Sequence, residues 1–216
     1  MNRRFDSHLF WGTHSPLFAF TGSGLIIMAS GKFAFALVCS GALIWVYGLT
    51  ALIFSCARKI MPFRGKKVIL LFLSTFLCGI FMLILYLLNP LLILGTFFFL
   101  LLIPPCCMGS GFFETVEPVD IAESVSRALL EAVILSAIIL ALAIVREPLG
   151  MGTLSLPGGL NGIVDFFDNR ETDAFVPARI LSVSAGGLLL LGYGTALYRY
   201  FRKHIAPRSE VAEEEL

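Results

Sequence analysis

The fold class that this sequence predicts is an all-α membrane protein with six transmembrane helices. Three observations predict it. Hydrophobic residues make up 57% of the 216 and charged residues only 14%, against about 25% in ordinary soluble domains, so the chain cannot cover itself with water-compatible surface. Its apolar residues fall into six stretches of the roughly 20 residues that a bilayer crossing needs. The first and fourth stretches are irregular and stand three positions apart in the order of spans, which is the pattern of two inverted three-helix repeats whose first helices are broken. One integral membrane domain, residues 1–216, is expected, with residues 9–88 as first repeat, 91–202 as second, and 203–216 as a tail.

The first stretch runs from about Leu9 to Met28 and is punctuated by Gly12, His14-Ser15-Pro16 and Gly22-Ser23-Gly24. The second is Phe33 to Ala57 and the third Val68 to Leu88. The fourth, Leu91 to Phe113, is cut by Pro104-Pro105, with Cys106-Cys107 and Gly109-Ser110-Gly111 directly after. The fifth is about Ser124 to Val145 and the sixth Ala178 to Phe201. Helix is expected throughout, because unpaired backbone groups in lipid cost several kcal/mol each. That overrides the strand-like composition of Phe97–Leu102. The repeat itself rests on Gly12-Thr13 ahead of Gly22-Ser23-Gly24, matched by Gly95-Thr96 ahead of Gly109-Ser110-Gly111. The two spacings differ by four residues, about one helical turn.

Lysine and arginine give the orientation. With six spans, one side holds Arg3, Arg4, Arg58, Lys59, Arg64, Lys66, Lys67, Arg127, Arg199, Arg202, Lys203 and Arg208. The other holds only Lys32, Arg146, Arg170 and Arg179. The excess puts both termini in the cytoplasm, with the chain multi-pass in the cytoplasmic (inner) membrane. The cluster from Arg58 to Lys67 reads as a topology signal that also meets anionic lipid. A net charge of +1 argues against nucleic acid as a partner. No small-residue cleavage site follows a short apolar core near the start, so no cleavable signal is expected. The glycine-rich, acidic segment from Arg146 to Pro177 is expected outside and partly ordered, and Glu210–Leu216 disordered.

The five cysteines, Cys39, Cys56, Cys78, Cys106 and Cys107, lie in or beside apolar stretches. An odd count in such places is not a disulfide framework. Cys39, Cys56 and Cys78 read as small packing residues. Pro104 and Pro105 lack an N–H, so they free carbonyls one turn earlier and break the helix. Two half-helices meeting at two thiols make a candidate site, and thiolate is the ligand that iron–sulfur clusters select. His14, beside Pro16 in the first span, could bind iron, hydrogen-bond a cofactor or shuttle a proton, or else be a hydrogen-bonded packing residue. Glu131 reads either as an (i, i+4) partner of Arg127 near the interface or as an intramembrane carboxylate on an ion path. Walker A, HExxH and triad patterns are absent, which excludes a self-contained ATPase or hydrolase of those kinds.

Three places resemble the Rnf/Nqr membrane subunits, in particular the NqrD/RnfE branch, which is related to NqrE/RnfA. The most specific is Ala143–Leu154, with its Arg-Glu, Leu-Gly and Gly-Thr-Leu order. Pro104–Gly111 resembles that family's fourth-helix break, and Phe10–Thr21 its first. The similarity runs from about Trp11 to Gly159. It implies a non-autonomous subunit of an ion-translocating oxidoreductase, relaying electrons across the membrane coupled to Na+ or H+ translocation. It implies a [2Fe–2S] cluster shared with a homologous six-span subunit, beside other redox subunits. Carried over, the fourth-helix ligand falls on Cys106 or Cys107, and the first-helix ligand on His14, where the family has cysteine. The alternative is a transporter or assembly/structural subunit of the same fold that has lost the redox centre.

Overall fold

The computed structural model describes residues 16–57, 66–109, 121–158, 162–168 and 179–214. Within them run α1 (Pro16–Ala29), α2 (Phe33–Ala57), α3 (Lys66–Leu88), α4 (Pro90–Leu100), α5 (Ile103–Gly109) and α6 (Ile121–Met151). A hairpin of β1 (Thr153–Pro157) and β2 (Ile163–Asp168) follows, then a 3-10 turn (Arg179–Ser182) and α7 (Ser184–Glu214). Four stretches are long and apolar enough to cross a membrane: Phe33–Ala57, Val68–Leu88, Pro90–Cys107 across the α4–α5 joint, and Ile121–Met151. Phe72 and Phe76 on α3 and Leu94 and Phe98 on α4 are all well exposed. Such a continuous apolar skin suits hydrocarbon, not water.

The shortest connections reverse the chain within a few residues. Between α3 and α4 a single residue, Asn89, makes the turn. Its extended backbone stops α3, and its Oδ1 accepts the N–H groups of Leu91 at 3.2 Å and Leu92 at 3.3 Å. Pro90 follows at the first helical position, where no N–H is needed. At this same end lie the C-terminus of α1, the N-terminus of α2, the C-terminus of α6 and the start of α7.

The hairpin ties these ends together. β1 and β2 pair antiparallel from Thr153↔Asp168 to Pro157↔Ile163, with an irregularity between Leu154 and Ser155. Gly162 sits at φ +81°, and a Cβ there would come within 2.9 Å of the Leu92 N at the head of α4. Both facts demand glycine. The Ser155 Oγ accepts the Ala34 N–H at 3.4 Å, at the head of α2.

The core lies between α2, α6 and the α4–α5 pair. α2 packs along most of its length on α6, with Gly48 letting Leu129 approach to 3.1 Å from where a Cβ would stand. Gly95 of α4 likewise takes the Phe35 ring, which also meets Phe99 at a centroid distance of 5.8 Å. One face of α2, formed by Cys39, Leu43, Tyr47, Thr50 and Phe54, is wholly buried.

Four expectations need correction. The break in the fourth span is not at Pro104-Pro105 but at Leu101-Leu102, which form a turn. The prolines fall in the first turn of α5 instead, where an N–H would have no intrahelical partner. The fifth helix does not end at Arg146-Glu147 but continues to Met151 through Pro148. It can do so because both side chains are satisfied inside the protein, as described below. The segment after it holds a hairpin, with short strands outside the apolar spans. α7 runs to Glu214, into the segment expected to be disordered. Alanine and glutamate in that segment are good helix formers. Gly12, Thr13, Ser15 and residues 58–65 and 110–120 lie outside the described residues. α1 itself runs unbroken through Gly22-Ser23-Gly24.

Candidate functional site

The joint between α4 and α5 is the centre of the candidate site. Leu101 N–H reaches Phe97 O, Leu102 N–H reaches Phe99 O, and Cys106 N–H reaches Leu102 O, each at 3.1 Å. In a continuous helix, residue 104 would donate to Leu100 O. Pro104 cannot, and the Cys78 thiol of α3 donates to that carbonyl at 3.2 Å instead. A freed carbonyl in a membrane core is costly unless it finds a donor. Cys78 therefore has a defined partner beyond small-residue packing.

Cys106 and Cys107 are both fully buried. The Tyr47 hydroxyl of α2 points at Cys106 Sγ, 3.8 Å away. Glu131 of α6 lies within electrostatic range of both thiols. Cys39, one helical face along from Tyr47, is in the same range of Cys106 and Cys78. The structure thus gathers a phenol, a carboxylate and four thiols from α2, α3, α5 and α6. A lone sulfur in an apolar core needs no such company. The chemistry available is proton exchange between carboxyl, phenol and thiol, and soft-ligand binding by sulfur.

Arg127 does not pair with Glu131. It bonds to Glu123 one turn earlier, on the exposed side of α6. The (i, i+4) ion pair of Glu131 with Arg127 is thus not formed, and Glu131 lies instead in electrostatic range of the two thiols. His14 lies outside the described residues. Among the described residues, no three His, Cys, Asp or Glu side chains are grouped so as to hold a metal ion. A [2Fe–2S] cluster needs about four ligands, and the described residues alone do not supply that set. Both thiols are also covered within the chain, not presented at its surface.

Arg146 and Glu147, the pair carrying the most specific resemblance, form a second polar centre. Adjacent helix residues do not face each other, and these two bind in different directions. Arg146 Nη1 donates to Ile27 O at 2.6 Å and Ser30 Oγ at 3.1 Å, Nε to Leu181 O at 2.8 Å, and Nη2 to Ser182 O at 3.2 Å. It thereby caps the carbonyl ends of α1 and of the 3-10 turn, where partial negative charge gathers. Gly187 makes room, since a Cβ there would lie 3.1 Å from Arg146 Nη1. Glu147, fully buried, accepts the Phe33 N–H at 2.6 Å and the Thr153 hydroxyl at 3.5 Å. It is an N-cap for α2 supplied from 114 residues away. This centre is structural, and it joins four elements at the hairpin end.

Sequence reasoning missed Tyr47, Thr50 and Ser55. The available signal was their position on one face of a span otherwise lined by Cys39, Leu43 and Phe54. No protein-family model matches the chain, and no curated protein matches it either.

Proposed function

We propose that the chain is a divergent, NqrD/RnfE-like subunit of an Rnf/Nqr-type electron-transport complex, coupled to Na+ or H+ translocation. It is built of six spans in two inverted repeats, with both termini cytoplasmic in the inner membrane, and it works beside a homologous six-span subunit and other redox subunits. The observation that carries this reading is the joint of α4 and α5, where Cys106 and Cys107 sit in the bundle core against α1, with Tyr47 and Glu131 alongside. A simple anchor has no use for two half-helices and a buried carboxylate. The reversal at Asn89, the antiparallel register of α2 and α6, and the gathering of helix ends at the hairpin support the six-span reading. Cys106, Cys107 and His14 would be this chain's share of a ligand set completed by the partner.

One observation favours the second reading, a subunit of the same fold that moves ions or assembles the complex without its own redox centre. The two thiols are fully covered, and no three side chains among the described residues are grouped so as to hold a metal ion. Iron analysis and electron paramagnetic resonance on the purified complex separate the two. The first reading expects iron and a signal lost on replacing both Cys106 and Cys107 by serine. An iron-free complex whose electron transfer survives that replacement sinks it and leaves the second.

A further inference from the structure

Polar side chains recur along the otherwise apolar seam between α2 and α6. Contacts of Phe33 with Glu147, Ser40 with Ser136 and Gly48 with Leu129 fix the register of the two antiparallel helices. That register sets Tyr47 level with Glu131, and Ser55 level with Ser124. Past Ser124, α6 reaches its exposed first turn, which begins at Ile121.

Two hydroxyls on this path stand apart. Serine and threonine inside a helix usually bond to the carbonyl one turn back. In this protein Ser40, Thr75 and Thr96 all do so, at 2.7–3.0 Å. Thr50 and Ser55 do not, and no protein group among the described residues bonds to either oxygen. Thr50 is 0% exposed and Ser55 9%, so lipid and bulk water do not reach them. More than nine in ten buried polar groups have a partner, and for those not bonded to protein it is internal water. The two hydroxyls lie five residues apart. Ser55 is about 12 Å along the helix from Tyr47, a distance that a short file of water covers.

We propose that Thr50 and Ser55 hold internal water that carries protons between Glu131 and the end of the seam marked by Ser55 and Ser124. Each hydroxyl accepts one hydrogen bond and donates another. A proton arriving on one water is passed as a different proton leaves the next, and no electrons move. At the inner end the Glu131 carboxylate takes the proton from its neighbouring water and becomes a neutral carboxyl. The titratable groups in electrostatic range of Glu131 are Cys106 and Cys107 from α5, and Tyr47 from α2 donates to the first of them. Arg127 on its own helix is committed to Glu123. This inference deepens the coupling half of the proposed function and rests on it only there.

The test uses the full chain in liposomes, with no redox partner. Infrared spectroscopy follows the carboxyl C=O band that disappears in Glu131→Gln. On transfer to D2O the band shifts as protons exchange. Thr50→Val combined with Ser55→Ala is expected to slow that shift about tenfold, the rate equivalent of one lost hydrogen bond. Thr50→Ser restores the rate lost in Thr50→Val, because it returns the hydroxyl. Unchanged exchange in the double variant overturns the proposal, as does the lack of any Glu131-dependent band across the pH range. A band that responds to Na+ and not to pH overturns the proton assignment in favour of sodium. Should the double variant fail to fold, each single variant must slow exchange by itself. The iron measurement above stands apart from this one, so the two readings fail separately.

Discussion

Removing the Glu147 carboxylate should loosen the head of α2 while leaving most of the protein intact. In Glu147→Ala, the Phe33 N–H loses an acceptor at 2.6 Å, and the Thr153 hydroxyl loses one at 3.5 Å. A hydrogen bond to a charged group contributes about 1.5–3 kcal/mol. A carboxylate at a helix N-terminus adds about 0.3–1 kcal/mol through the helix dipole, and more when buried. The expected loss is therefore about 3 kcal/mol, offset in part because the buried charge itself is gone. Glu147→Gln keeps an acceptor oxygen and loses the charge, so its cost is about 1 kcal/mol. Reversible unfolding in mixed micelles, followed by circular dichroism, measures both. Hydrogen exchange should localise the change to Phe33, since Ser155 still holds the Ala34 N–H. A loss below about 0.5 kcal/mol for Glu147→Ala, or equal losses for the two variants, would refute the remote-cap reasoning.

Arg146→Lys replaces a fork that reaches four acceptors with a point donor. It should cost about 2 kcal/mol and raise hydrogen exchange in the 3-10 turn and at the start of α7. Gly186→Ala would drive a Cβ to 2.4 Å from Ile180 O and 2.5 Å from Leu181 Cα. Those are backbone atoms, so α7 must shift, and a lowered melting temperature reads it. Of the five cysteines, Cys56 alone is exposed, so a thiol reagent should label one site in the native protein and five after denaturation. Rapid native labelling of Cys106 or Cys107 would show that the joint is open. Glu123→Gln breaks a surface pair with Arg127 and should change stability by less than about 0.5 kcal/mol in the same unfolding assay.

Much of the architecture was legible because the solvent is lipid. The apolar runs Phe33–Ala57 and Val68–Leu88 mark their helices to within a residue or two, since a bilayer leaves the backbone no other partner than itself. The joint was legible in kind and misplaced by three residues. Proline marks a helix start as readily as a helix break, and composition cannot tell the two apart. The hairpin was hidden in a glycine-rich segment, although Asn161-Gly162 between two short apolar runs is a turn signal. Arg146 and Glu147 were noticed as a motif, but their partners Ile27, Phe33, Leu181 and Thr153 are scattered along the chain. No spacing rule could have joined them. Glu131 was weighed against the wrong partner for the same reason: its place near Cys106 is set by how α6 and α5 both pack on α2, a tertiary fact.

The remote caps also carry a consequence for how the protein is made. A chain that has delivered only α1 to α5 to the bilayer leaves the carbonyl end of α1 and the amide end of α2 without the side chains that close them. Those side chains arrive together, on adjacent residues, once α6 has been threaded through. The first half of the molecule is therefore finished by the second, late in biogenesis and in a single step. A ribosome stalled before residue 146 would leave behind an open, unsealed bundle, and quality control in the membrane would have a clear mark by which to recognise it.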